Sequence, residues 1–295
     1  MKFFPKSAPI TKNYFDPLVP EYIFNNQRLS LRYPAVMGIL NLTPDSFSDG
    51  GNFIEPSVAV ERALQMVEQG AQIIDLGGES TRPGSDPVSE EEEIQRVIPI
   101  LNQLSTDQFV ISIDTTKPKV AQLALEAGAH LINDISGGST ELLKAAHAYN
   151  AGFILMHSQG KPKTMQDQPS YMNTVTEIRE FFDQKKEHIK ELGLPRLWID
   201  PGIGFGKTLT HNLEIMRSIH TFLDETWGVL LGSSRKSWID HLCDAPDPVK
   251  RLGGSIASAI DAVAKGVEII RVHDVAETVQ AIQVTKELAT DPESK

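Results

Sequence analysis

Short, continuously apolar runs recur along the chain at 35–40, 72–76, 109–113, 130–135, 152–156, 196–200, 229–231 and 268–272. They are too short for helices and lack polar alternation, so they read as strands buried on both faces. Between them apolar residues follow helical spacing, as in Val60, Ala63, Leu64 and Val67, and again in Val120, Leu123, Ala124 and Ala127. Gly70 and Gly128 are placed to stop these two helices, and Pro56 and Pro118 fall in their first turns. Ser89 ahead of Glu90–Glu93 reads as a cap followed by a solvated acidic first turn. Further helices are expected at 139–149, 172–192, 210–225, 247–265 and 274–289, so that each strand leads into one.

Strict strand and helix alternation predicts a parallel sheet covered by helices. Eight such units in roughly 260 residues fit a (β/α)8 TIM barrel of the α/β class, whereas a doubly wound sheet usually stops at fewer strands. Ahead of the first unit, Tyr22–Phe24 and Leu29–Leu31 flank Asn25-Asn26, a short N-terminal hairpin that would plug the barrel's bottom. The expected organisation is a leader over 1–20 and one catalytic domain over 21–290.

Each strand ends in a polar or reactive group: Asn41, Asp75 with Glu79, Asp114, Asn133, His157, Asp200, Ser233 with Lys236, and Arg271 with His273. In a barrel these ends converge on one face, where catalysis is found. One aspartate at a strand end is a common cap; a polar group at every strand end calls for another reason. Arg271 and His273, two apart on a strand, project to one side and suit a single anion, or one of them pairs locally with Asp274. Lys236 reads as a donor, a salt-bridge partner or a Schiff-base lysine. Gly202, Gly204 and Gly206 fit no nucleotide fingerprint and read as turn residues. Residues 77–84 form a second glycine-rich polar loop, which with 42–53 would make a movable lid. His157 lacks metal-ligand spacing and reads as structural, and His211 falls at a helix start.

Composition narrows the partners. A net charge of −11 over 295 residues gives no basic footprint for nucleic acid and repels an anionic membrane surface. A few cations focused in one cleft can still hold a small anion. Cys243 is the only cysteine, so there is no intrachain disulfide and no thiolate metal cluster. No apolar run is long enough for a signal core or a membrane span, and a cytoplasmic protein is expected.

The blocks MGILNLTPDSFSDGG from Met37, DLGGESTRPG from Asp75, SIDT from Ser112, NDI from Asn133, DPGIGFGK from Asp200, SRKS from Ser234 and RVHDV from Arg271 resemble the dihydropteroate synthase family over about residues 28–285. The resemblance implies a barrel transferase of folate biosynthesis. It would join 6-hydroxymethyl-7,8-dihydropterin diphosphate to 4-aminobenzoate, giving 7,8-dihydropteroate and diphosphate, with Mg2+ as cofactor. Sulfonamides would compete with 4-aminobenzoate. By the same resemblance Asp114, Asn133 and Asp200 bind the pterin's amino-pyrimidine edge, Met156 lines its face, and Lys236 meets its carbonyl and ring nitrogen. Asn41, as the metal ligand, holds the diphosphate with Arg271 and His273, joined by Arg82 on loop closure. Thr81, Pro83, Phe205 and Ser237 frame the aminobenzoate. Catalysis would rest on Asp114, Lys236, Arg271 and His273, and the family is commonly dimeric. The family usually shows Met-His-Met where this chain has Met156-His157-Ser158. A pterin-dependent methyltransferase would share the acceptors but has no diphosphate to bind. A Schiff-base aldolase on Lys236 and a non-catalytic pterin-binding protein are two rival readings.

Overall fold

A computed structural model describes residues 20–43, 55–80, 85–104, 107–160 and 164–289. The chain enters as an antiparallel hairpin, β1 (Glu21–Phe24) and β2 (Gln27–Ser30). Asn25 and Asn26 turn it, both at positive φ (48° and 64°), the backbone a tight two-residue hairpin needs and asparagine tolerates. Asn25 Nδ2 also donates to Leu125 O (2.7 Å) and Ala129 O (3.0 Å), tying the turn to the body.

Eight parallel strands follow and close on themselves. They are β3 (Ala35–Asn41), β4 (Ile73–Gly77), β5 (Val110–Asp114), β6 (Leu131–Asp134), β7 (Gly152–Met156), β8 (Leu197–Asp200), β9 (Gly228–Leu231) and β10 (Ile269–Val272), with β10 pairing back to β3. The ring outside them comprises α1 (Pro56–Glu68), α2 (Glu90–Leu101), α3 (Pro118–Glu126), α4 (Thr140–Ala148), α5 (Thr174–Leu192), α6 (Leu209–Arg217), α7 (Ser237–Cys243), α8 (Leu252–Ala264) and α9 (Val275–Ala289). The TIM barrel and its hairpin are therefore as the sequence predicts.

Two apolar cores result from strand alternation. Outward residues such as Val36, Leu40, Ile74, Ile111 and Leu155 pack against the helices. Inward residues from the strand starts, among them Met37, Ile73, Val110, Leu131, Ile154 and Trp198, pack with Phe24, Leu29 and Leu31 of the hairpin, which seals that end. Side chains two residues further along a strand face the same way. Asp75, Asp114, Asn133, Met156, Asp200 and Arg271 are each two or four positions beyond such an inward apolar residue, so they line the interior toward the opposite end.

Several expectations need correction. In α1 the buried face is Ala59, Ala63 and Met66, with Leu64 exposed at 42%. The two alanines let the helix lie close, and Met66 covers Gly38, where a Cβ would stand 2.9 Å from its sulfur. In α3 the face likewise includes Ala121 and Leu125 beside Val120 and Ala124. The expected helix at 210–225 ends at Arg217 and tightens into a 3-10 turn, Ile219–Phe222, and 247–265 begins as a 3-10 turn capped by Asp247. The seven-residue α7 is too short for its periodicity to be read. Ser89 Oγ caps α2 by accepting from Glu92 N (3.1 Å), but the acidic turn is not all solvated: Glu93 is wholly buried and paired with Lys117, because the segment after β4 lies on it. The leader up to residue 19 and most of the expected lid lie outside the described residues.

Candidate active site

The interior polar groups form two linked clusters. Asp75, fully buried in β4, accepts from Arg271 Nε (2.6 Å) and Asn133 Nδ2 (3.0 Å) on one oxygen. Arg271 Nη2 donates to Asp114 Oδ2 (2.7 Å), so three strands converge on one guanidinium. Asp114 Oδ1, Asp75 Oδ1 and Ser112 Oγ are buried with no hydrogen-bond partner among the described residues. Burial pushes the Asp114 carboxyl up to about 7, although the neighbouring Arg271 pulls it the other way.

The second cluster stands on β8 and β9. Asp200 is buried, and burial raises its pKa against the pull of Lys236 and of the Gly202 N–H, which donates to Oδ1 at 2.8 Å. Lys236 Nζ donates to Ile203 O and sits 4.2 Å from the centre of the Phe205 ring. Burial lowers its pKa to about 8; Asp200 opposes that, and Arg271 adds to it. The glycine turn is as expected: Gly202 and Gly206 have φ of +72° and +64°, and a Cβ at either would collide with the carbonyl of His157 or Gln159.

That close approach carries a residue that the strand-end pattern does not single out. Lys207, 3% exposed, reaches back to His157 Nδ1 (3.1 Å), His157 O (3.4 Å) and Phe205 O (3.0 Å). Burial brings it down to about 7 and His157 down to about 3, so the imidazole is neutral and accepts. His157 is structural, as its isolation suggests. The only advance signal for Lys207 is its place directly after three glycines.

Asn41 ends β3 on the inner face, and Asp200 and Arg271 flank Gly232 just as Asn41 and Asp114 flank Gly77; a Cβ at either glycine would lie within 4.0 Å of both neighbours. Asn41, Asp114, Asp200 and Arg271 therefore surround one mouth. His273 Nδ1 meets Ser234 Oγ at 3.1 Å on its rim. Neither Arg271 nor His273 takes Asp274 as its local partner: Arg235 binds that carboxylate with two nitrogens. Met156 is buried at the end of β7, and Ser237 is exposed at the start of α7. A cavity of about 520 Å3 opens beside Asp114, lined by Thr115, Ile135, Ser158 and Phe205 among others. Ser158, at the position that departs from the family pattern, donates to Ile135 O at 3.1 Å. Thr81, Arg82 and Pro83 lie outside the described residues.

Such a mouth, where buried carboxylates, an amide and two cations meet, is that of a small-molecule-binding barrel enzyme, and residues 37–273 match the family model described as "Pterin binding enzyme". Dihydropteroate synthase of Escherichia coli K12 is 45% identical over 271 residues, covering 90% of this chain and 96% of that protein. The Yersinia pestis dihydropteroate synthase, solved with a sulfonamide drug complex, superposes with a TM-score of 0.84 at 42% identity, covering 91% and 99% of the two chains. The Xanthomonas albilineans enzyme in complex with 7,8-dihydropteroate does so at 0.82 and 35%, covering 92% and 100%. The chain belongs to the dihydropteroate synthase family.

Proposed function

We propose that this chain is a transferase that joins the aryl amine of 4-aminobenzoate to the exocyclic CH2 of 6-hydroxymethyl-7,8-dihydropterin diphosphate. A C–N bond forms, the C–O bond to diphosphate breaks, and the amine's proton is lost to solvent. The products are 7,8-dihydropteroate and diphosphate. The observation that carries this reading is the convergence of Asp114, Asn133, Asp200, Lys236 and Arg271 at one mouth, with a buried Asp114 oxygen that has no hydrogen-bond partner among the described residues. The product complex of the Xanthomonas albilineans relative supports the choice of substrates.

The roles follow from donor chemistry. The pterin edge offers adjacent N–H groups, and buried carboxylates with an amide oxygen accept them in strong, charge-assisted bonds. Lys236 supplies the matching donor to the pterin's carbonyl side. Its ammonium already rests on the Phe205 face, so the catalytic lysine and a wall of the aminobenzoate site are set together. Arg271 and His273, joined by Arg82, oppose the charge that grows on the departing diphosphate, which is electrostatic stabilisation of the transition state. No side chain acts as a covalent nucleophile.

The donor set around Asn41 tests the Mg2+ expectation. Among the described residues no group of three or more His, Cys, Asp or Glu side chains could hold a metal. One amide oxygen beside a diphosphate is still the kind of site Mg2+ accepts, because that ion is commonly held by substrate phosphates and few protein ligands. Asn41 would hold it, and when bound the ion supplies charge neutralisation on the leaving group. Thr81, Pro83, Phe205 and Ser237 frame the aminobenzoate in this reading. The chain acts as a cytoplasmic homodimer on small molecules; no helix among the described residues is long and apolar enough to cross a membrane. The test is diphosphate release and dihydropteroate formation from the two substrates with Mg2+, with a sulfonamide competing against 4-aminobenzoate. A folded protein that binds pterin without turnover would overturn it.

A further inference from the structure

Asn41, Gly77, Asp114 and Asn133 stand in one register row across β3 to β6, and Asp75 lies one inward position deeper, level with Ile39 and Ser112. It is 0% exposed, and its Oδ2 takes two donors from different strands: Asn133 Nδ2 at 3.0 Å and Arg271 Nε at 2.6 Å. A carboxylate paired with a guanidinium accepts and does not donate. An asparagine amide is nearly isosteric end for end, so only its partners decide which end faces where. Beside Asp75 the nitrogen must turn inward, and the carbonyl oxygen is left facing the mouth.

We infer that Asp75 is the positioning residue of this site: by holding Asn133 Nδ2 it presents Asn133 Oδ1 to the heterocycle as an acceptor, and through the same oxygen it aims Arg271. The inference rests on the proposed pterin-binding role of Asn133 and extends it to a residue that does not itself touch substrate. It requires the ligand to place an N–H, and not a ring acceptor, opposite Asn133. Asp75 thus selects between tautomers of the heterocycle that differ at that edge.

The experiment reads the affinity of 6-hydroxymethyl-7,8-dihydropterin by direct titration, and the KM of its diphosphate beside that of 4-aminobenzoate, in wild type, Asp75→Asn, Asn133→Ala, Asn133→Asp and two double variants. Asp75→Asn lets the amide pair turn over and should weaken pterin by about tenfold, with the 4-aminobenzoate KM changed less than about twofold. In the Asn133→Ala background the same change should add less than about twofold, because the side chain it acts through is gone. Asn133→Asp alone sets two carboxylates face to face and should weaken pterin at least as much as Asn133→Ala. Exchanging both, Asp75→Asn with Asn133→Asp, should recover part of the loss of Asn133→Asp alone: the amide nitrogen at 75 donates to the carboxylate at 133, whose second oxygen faces the pterin, while Arg271 Nε gives up its acceptor there and Nη2 keeps Asp114. Equal losses in both backgrounds, or an exchange no better than Asn133→Asp alone, would overturn the inference. Should Asp75→Asn fail to fold, Asn133→Asp decides, since wild-type pterin affinity in that variant is incompatible with a carboxylate facing position 133. A wild type that binds pterin but makes no dihydropteroate defeats the proposed function and leaves this titration able to judge Asp75.

Discussion

At the mouth of the barrel, burial moves an acid and a base toward each other. Asp114 is raised to about 7 and Lys236 lowered to about 8, so only near neutrality are the carboxylate and the ammonium both charged. As pH falls through about 7, Asp114 takes a proton and ceases to be a charged acceptor; as pH rises through about 8, Lys236 loses its charge. The kcat/KM for the pterin diphosphate is therefore expected to trace a narrow bell with flanks near those values, since this quantity reports groups of the free enzyme. Lys236→Arg should lower the maximum and abolish the alkaline flank, because arginine does not titrate there. A flat profile between the two values and beyond them would contradict these roles. Most of these residues are legible in the sequence, since a polar group closing an apolar run can hardly be anything but a strand end. Asp75 is visible there too, but its partnership is not, because the pairing with Arg271 spans 196 residues and depends on both being inward at a particular depth. Lys207 is hidden for a different reason: its side chain folds back only because Gly202, Gly204 and Gly206 all take positive φ.

Among the elements, strands can be read almost to the residue, because a buried parallel strand is continuously apolar and needs no periodicity. Helix faces are less secure. In α1 and α3 more than one stripe of apolar residues satisfies helical spacing, and the one chosen depends on what the sheet offers, as Gly38 does for Met66. Neighbouring glycines in α8 make the same dependence measurable. A Cβ at Gly253 meets nothing within 4 Å, whereas one at Gly254 would stand 2.4 Å from Ile239 Cγ2 of α7. Gly253→Ala is expected to stabilise the protein by up to about 1 kcal/mol through helix propensity. Gly254→Ala should destabilise it by about 1–3 kcal/mol through overpacking and shift α7, which carries Ser237. Urea midpoints compared with the 4-aminobenzoate KM test both: Gly253→Ala raises the midpoint with KM unchanged, and Gly254→Ala lowers the midpoint and raises KM. Equal effects would mean that α7 and α8 are not packed as described.

For the whole molecule, the division of the barrel interior into an apolar half and a polar half organises both stability and chemistry. Phe24 is wholly buried between the strand starts, stacked 5.1 Å from Tyr22 and tilted against Trp198 at 6.3 Å. Phe24→Ala is expected to cost about 3–5 kcal/mol, visible as a lower denaturation midpoint, while turnover at low temperature changes little because the cavity opens far from the mouth. A variant that kept wild-type stability would show that the hairpin merely rests on the barrel. The overall charge of −11 does not favour an anion; in the proposed function Arg271 and His273 oppose the diphosphate's charge locally, inside a surface that repels anions at longer range.

The hairpin stopper has a further effect on traffic. With one end corked by Phe24 and its neighbours, the described residues leave the opposite end as the doorway, and Asp114, Asn133 and Asp200 sit further in than Phe205 and Ser237. In the proposed function the bicyclic ring lodges at the inner wall and the aryl amine outside it, so a queue is expected at that doorway: ring first, amine second, and the joined molecule leaving by the way both came in.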